Sequence, residues 1–310
     1  MNIWFRSCPA WPWPCRASSA AAVAALRAAP ATTSAPLPPR TADSTKHAAC
    51  QPDQVNDETP RRPVRVTILD SSHNPPNAAH VALLRAALQP SLARASANEP
   101  DNNESDAVDA VLILLAVQNA DKGRLAESDL AHRLAMMREV ALDTHEWLAA
   151  HAPAATTTEL PSIAVATTDH ALFKDKAADV LALLPPSAHL RWVLGEDTLL
   201  RIFDPKYYPA TSVADTMTAF FDATRSTFLW ARRPALPIAA NVDRDALDLC
   251  RARGFVEDLV LDPGVALAIR DVSSTSVRDA VASGEWAAVE RGTVPGVTRY
   301  IREHGLYGAE

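Results

Sequence analysis

Two clusters of small polar residues sit where an apolar run gives way to a helical pattern, and both have the chemistry to hold phosphate. The first is Asp70-Ser71-Ser72-His73-Asn74-Pro75-Pro76-Asn77-Ala78-Ala79-His80, between the apolar run 64–69 and the stretch beginning Val81-Ala82-Leu83-Leu84. A strand turning through such a loop into a helix leaves the first helix N–H groups unpaired, and the helix dipole adds positive charge there, so an anion is favoured. Ser71, Ser72, Asn77 and His80 add side-chain donors to that place. The second cluster is Val272-Ser273-Ser274-Thr275-Ser276-Val277-Arg278. Its hydroxyls and helix-start amides form a nest for phosphate oxygens, which Arg278, one turn along, can clamp with two parallel N–H bonds. Arg232, at the end of the run 227–231, offers a further cation. Each feature has a plainer reading. A Ser/Thr run or an Asn before a helix is commonly a cap, and Asn77 can simply cap a helix beginning near Ala78. A lone His is often structural, and Arg232 beside Pro234 can be a surface residue.

The elements that must position these clusters are short apolar runs alternating with helical patterns. Strands are expected at 64–69, 110–117, 162–166, 190–194, 227–231 and 266–272, several of them apolar on both faces as buried parallel strands are. Helices are expected at 79–88, 130–149, 176–184, 246–253, 276–282 and 297–304. This rhythm implies an α/β fold, a Rossmann-like doubly wound parallel sheet whose ligands lie beyond the carboxyl ends of the strands at the switch in strand order. The turn Gly195-Glu196-Asp197 ends the fourth expected strand, and by itself it is an ordinary helix N-cap.

At 310 residues and 48% hydrophobic composition the chain can bury a sizeable core. A net charge of −7 argues against a non-specific nucleic-acid binder, which needs a basic face. No apolar run approaches the roughly 20 residues that cross a bilayer. Cys8, Cys15, Cys50 and Cys250 form no C-x-x-C pair, so reduced thiols are the simplest reading, and no metal-binding cluster is visible. Residues 1–60 are Pro- and Ala-rich without a strand pattern and read as a disordered leader, with the folded domain at 61–310. Arg6, Arg16, Arg27 and Arg40 precede the first acidic residue, Asp43, and 17–29 can form a short helix, as in a mitochondrial presequence. These arginines mark no clear amphipathic face, which favours an inert extension and a cytoplasmic or nuclear protein. The polar segment 96–106 reads as a surface insertion.

The first loop resembles the nucleotidyltransferase signature GxFxPxHxGH. Ser71 stands for the first Gly, His73 for the Phe, Asn77 for the first His and Ala79 for the second Gly, whereas Pro75 and His80 match. The block 272–278 closely resembles the adenylyltransferase signature ISSTxIR. Leu114-Leu115-Ala116-Val117-Gln118-Asn119-Ala120-Asp121-Lys122, followed by Arg133-Leu134-Ala135-Met136, is similar to a segment of the nicotinamide mononucleotide adenylyltransferases. Gly195-Glu196-Asp197, running on to Phe203-Asp204-Pro205-Lys206-Tyr207-Tyr208, resembles a fungal branch of that family. The resemblance covers roughly 64–307 and is concentrated in four short blocks.

That resemblance implies a single nucleotidyltransferase domain that joins ATP to nicotinamide mononucleotide, giving NAD and pyrophosphate. It implies catalytic roles for His80, at the α/β-phosphates, and for Arg278, with Ser274 and Thr275 on the leaving pyrophosphate. It places Ser71, Ser72, Asn77, Gly195 and Asp197 around ATP, and Lys122 on the acceptor phosphate with Arg232 nearby. Mg²⁺ is expected to bridge triphosphate oxygens with few protein ligands. Tyr207 and Tyr208 can stack on a nicotinamide ring or pack on the sheet edge. A nucleotide-binding or ATP-hydrolysing regulator derived from the enzyme, or a nucleotidyltransferase for another phosphorylated acceptor, stays open. So do the choice between nicotinamide and nicotinate acceptors and a homo-oligomeric state.

Overall fold

The computed structural model describes residues 2–5, 64–97, 108, 110–119, 123–152, 160–231 and 241–308. Their centre is a seven-stranded sheet. Its strands are β1 (Asn2–Phe5), β2 (Arg65–Asp70), β3 (Ala110–Ala116), β6 (Ser162–Thr168), β7 (His189–Gly195), β8 (Ser226–Ala231) and β9 (Val256–Asp258). β4 (Gln118–Asn119) and β5 (Gly123–Arg124) form a separate two-stranded ladder. The sheet order is β1-β6-β3-β2-β7-β8-β9, antiparallel at β1–β6 and parallel elsewhere. Without β1 the chain order across the sheet is third, second, first, fourth, fifth, sixth. That is the doubly wound Rossmann order, with its switch point between β2 and β7.

Side chains alternate across each strand, so the sheet has two cores. Val66, Ile68, Leu112, Trp192, Phe228 and Trp230 face α3 (Phe173–Leu181), α5 (Val213–Thr224) and α6 (Arg244–Ala252). Leu69, Val111, Ile113, Val193 and Leu229 face α1 (Ala78–Ala97), α2 (Glu127–His151), α8 (Ser274–Ala282), α9 (Trp286–Gly292) and α10 (Pro295–Glu303). α4 (Glu196–Ile202) follows β7 directly. α2 opens with Glu127 and Asp129, charges of the sign its dipole favours there.

Five expected strands are present, and the sixth is a correction. Residues 266–272 are not a strand: α7 (Pro263–Ile269) occupies this region, and β9 takes the sheet edge. The Asp262 side chain accepts the N–H groups of Gly264 and Val265, and Pro263 sets the first helical φ, which fixes a helix before the apolar run begins. A second correction concerns the leader, where no strand was expected and Asn2–Phe5 pair with β6. The remainder of the leader, including the expected helix at 17–29, and most of the expected insertion at 96–106 lie outside the described residues.

Candidate functional site

The site is built at the carboxyl end of β2, the strand that borders the switch point. β2 ends at Asp70, whose carboxylate meets Lys176 Nζ of α3 at 2.6 Å, both side chains being over nine-tenths buried. The chain then turns through 71–77 into α1. The Asn77 Oδ1 accepts the His80 N–H at 3.1 Å, and His80 Nδ1 accepts the Asn77 N–H at 3.1 Å. This reciprocal pair satisfies two orphan donors at the start of α1, a capping box with an imidazole in the usual Glu or Gln position. It also fixes the tautomer. With Nδ1 accepting, the proton of neutral His80 sits on Nε2, which lies 3.0 Å from Ser71 Oγ.

Burial, assisted by the neighbouring His73 ring 5.5 Å away, pushes the His80 pKa down to about 3. His73 itself is fully buried in the left-handed region at φ 45, with Nε2 donating to Leu114 O, and burial pushes its pKa down to about 4. Both rings are therefore neutral donors at neutral pH.

The second cluster arrives from the far end of the chain. Ser273 and Ser276 form the capping box of α8. Ser274 Oγ donates to Pro75 O at 2.7 Å and accepts from Asn77 Nδ2 at 3.2 Å. Arg278 Nη1 donates to Asn74 O at 2.6 Å and Nη2 to Thr275 Oγ1 at 3.1 Å. The two clusters expected from sequence to hold phosphate are therefore in direct contact at the switch point.

Other expected residues have varied positions. Ser72 is exposed, and its carbonyl accepts from Arg133 Nη1 at 2.9 Å. Gly195 precedes α4 at φ −76, and a Cβ built on it meets nothing within 4 Å, so this turn does not require glycine for close packing in the protein itself. Asp197 is exposed in the first turn of α4. Lys122 and Arg232 lie outside the described residues. Of the two tyrosines, Tyr208 donates its hydroxyl to Ile202 O at 2.6 Å and packs on the core, while the Tyr207 ring lies against Lys206 Nζ at 4.6 Å. Asn77 is 3% exposed, with both ends of its amide engaged, so the capping reading applies to it directly.

Arg133, part of the family-like segment, can also be read as a solvated helix residue, yet it is half-buried and reaches the first loop, and burial lowers its pKa. Sequence reasoning passed over two further groups. Tyr307 Oη donates to Asn74 Oδ1 at 2.8 Å. The Asp70–Lys176 pair had no local signal, since its members come from different elements.

No family model matches the chain. Over 160 residues it is 28% identical to a Schizosaccharomyces pombe protein named "Putative nicotinamide mononucleotide adenylyltransferase", covering 52% of this chain and 51% of that protein. The chain spans about half the length of this curated relative. Among solved structures, Plasmodium falciparum nicotinic acid mononucleotide adenylyltransferase complexed with NaAD aligns with a TM-score of 0.45 and 14% identity, over 80% of this chain and 98% of that one. In the site described here, the GxFxPxHxGH-like loop and the ISSTxIR-like helix start share a continuous network of hydrogen bonds.

Proposed function

We propose that the protein is an adenylyltransferase that joins ATP to nicotinamide mononucleotide, or to its nicotinate counterpart, releasing pyrophosphate. The observation that carries this reading is the junction of Asn77 and His80 with Ser274 and Arg278 beyond the carboxyl end of β2. A phosphate oxygen of the acceptor forms a bond to the α-phosphorus of ATP, and the bond from that phosphorus to the bridging oxygen breaks in line. No protein nucleophile is needed, and catalysis comes from alignment and charge neutralisation.

In this reading, neutral His80 donates through Nε2 to the α/β-phosphates once Ser71 yields its contact. Arg278 and Thr275 take the leaving pyrophosphate, with Ser274 holding the loop in register. Lys122 and Arg232 are assigned to the acceptor phosphate on the strength of the sequence resemblance. Among the described residues no three His, Cys, Asp or Glu side chains gather, and one Asp70 oxygen is held by Lys176. Mg²⁺ arriving with ATP would need few protein ligands and would offset triphosphate charge.

A second reading, an ATP-binding regulator without transfer activity, is favoured by one observation. Asn77 replaces a residue able to carry charge, and its amide is committed to the fold. Incubating purified protein with ATP, Mg²⁺ and a panel of mononucleotide acceptors, followed by chromatography, separates the two. Dinucleotide and pyrophosphate in equal amounts are expected. ATP binding or hydrolysis without dinucleotide from any acceptor would overturn the adenylyltransferase reading.

A further inference from the structure

The loop 71–77 is gripped from outside through its acceptors. Arg133 of α2 holds Ser72 O, Arg278 and Ser274 of α8 hold Asn74 O and Pro75 O, and Tyr307 holds the Asn74 side chain. Tyr307 lies in the short 3-10 turn Leu306–Gly308 after α10, and its backbone is left-handed at φ 60. A bulky residue in that region persists where its surroundings hold it, which happens most often at functional sites. Burial raises the Tyr307 pKa to about 12, against the lowering effect of the Arg133 and Arg278 charges, so it stays protonated across the working pH range.

An Asn amide has one accepting end and one donating end, and the hydrogen bonds around it decide which way it points. We infer that Tyr307 is a positioning residue: its bond to Asn74 Oδ1 fixes the amide so that Nδ2 is the end presented to a phosphate oxygen of bound nucleotide. This rests on the phosphate-binding reading of the loop given above. It makes the turn after α10 part of the nucleotide site without contact to substrate. It also assigns Asn74 a neutral donor role that partly replaces the imidazole missing at Asn77. Arg133 and Arg278, which hold the adjoining carbonyls, keep the loop from following if the tyrosine contact is lost.

A double-mutant cycle tests this. Tyr307→Phe removes only the hydroxyl and keeps the ring. ATP affinity by calorimetry and dinucleotide turnover are measured for the wild type, Tyr307→Phe, Asn74→Ala and the double variant, with melting temperature recorded for each. Loss of one neutral hydrogen bond corresponds to about a 3- to 10-fold drop in ATP affinity or turnover for Tyr307→Phe. That drop should vanish in the Asn74→Ala background, because Tyr307 acts through Asn74. Asn74→Ser replaces Asn74→Ala should the latter not fold. The same drop in both backgrounds, or no drop in the wild-type background, overturns the inference while leaving the transfer reaction standing. A wild type that binds ATP and shows the coupling yet forms no dinucleotide sinks the transfer reading and keeps Tyr307 as a positioner. A wild type that binds no ATP overturns both.

Discussion

Replacing Asn77 with Ala removes two contacts of different kinds and leaves a third in place. The side chain supplies the cap of α1 through Oδ1 and a bond from Nδ2 to Ser274 Oγ, in a position only 3% exposed. A lost Asn cap costs about 1 kcal/mol and a lost buried hydrogen bond about another, giving about 2 kcal/mol in all. For a domain of this size that is a fall in melting temperature of about 4–8 °C. The bond from the residue 77 backbone N–H to His80 Nδ1 does not involve the side chain, so the His80 tautomer is kept. Turnover per folded molecule should therefore fall only about 10-fold, through loosened register between the loop and α8. His80→Ala should lower turnover by about 10² or more, the scale of a lost transition-state donor. Thermal unfolding and dinucleotide formation on the same preparations decide the matter. An unchanged melting temperature would refute the capping argument, and a turnover loss equal to that of His80→Ala would make Asn77 a direct phosphate contact. Asn77→His, which brings back the residue of the related signature, is not expected to restore activity, because an imidazole must fit a buried place already filled on both sides.

Arg278→Lys should recover only part of the loss in Arg278→Ala, expected at about 10² in turnover, because an ammonium cannot hold Asn74 O and Thr275 Oγ1 together and still meet phosphate; equal activity of the Lys variant and the wild type would contradict this. His73 and His80 titrate at about 4 and about 3 in the fold against 6.5 unfolded, so the unfolded chain takes up their protons first. Stability is therefore fully present above pH 6.5 and is lost as pH falls toward 4, by up to about 1.4 kcal/mol per pH unit for each ring. Urea unfolding across that window should show the acid limb flattened in His73→Phe, and an unflattened limb would refute the assignment. A chain beginning at Thr59 loses β1 but keeps the six parallel strands and the site, so it should retain turnover while melting at a lower temperature. Loss of cooperative unfolding there would show that the edge strand is required for the fold.

The local parts of the fold were legible because their physics is local. Buried parallel strands must be apolar on both faces, so runs such as Val111-Leu112-Ile113-Leu114 announce themselves. The strand-loop-helix transition at Asp70–Ala78 and the hydroxyl-rich start of α8 could be read as anion-binding turns from residue type alone. The edge strand β9 could not, since it is three residues long with two exposed acids, while the apolar stretch that mimicked it was already committed to a helix by Asp262 and Pro263. The helices α5 and α9 also went unassigned. What only the tertiary structure decided is which turns meet. Asn77 and Ser274 are 197 residues apart, and Asn74 and Tyr307 are 233 apart. Their contacts follow from the order in which strands pair and from the helices that pack on one face of the sheet. The dual use of Asn77, the tautomer of His80 and the grip of Arg133 and Tyr307 on the loop depend on distances of about 3 Å across that packing, and residue spacing along the chain carries no information about them.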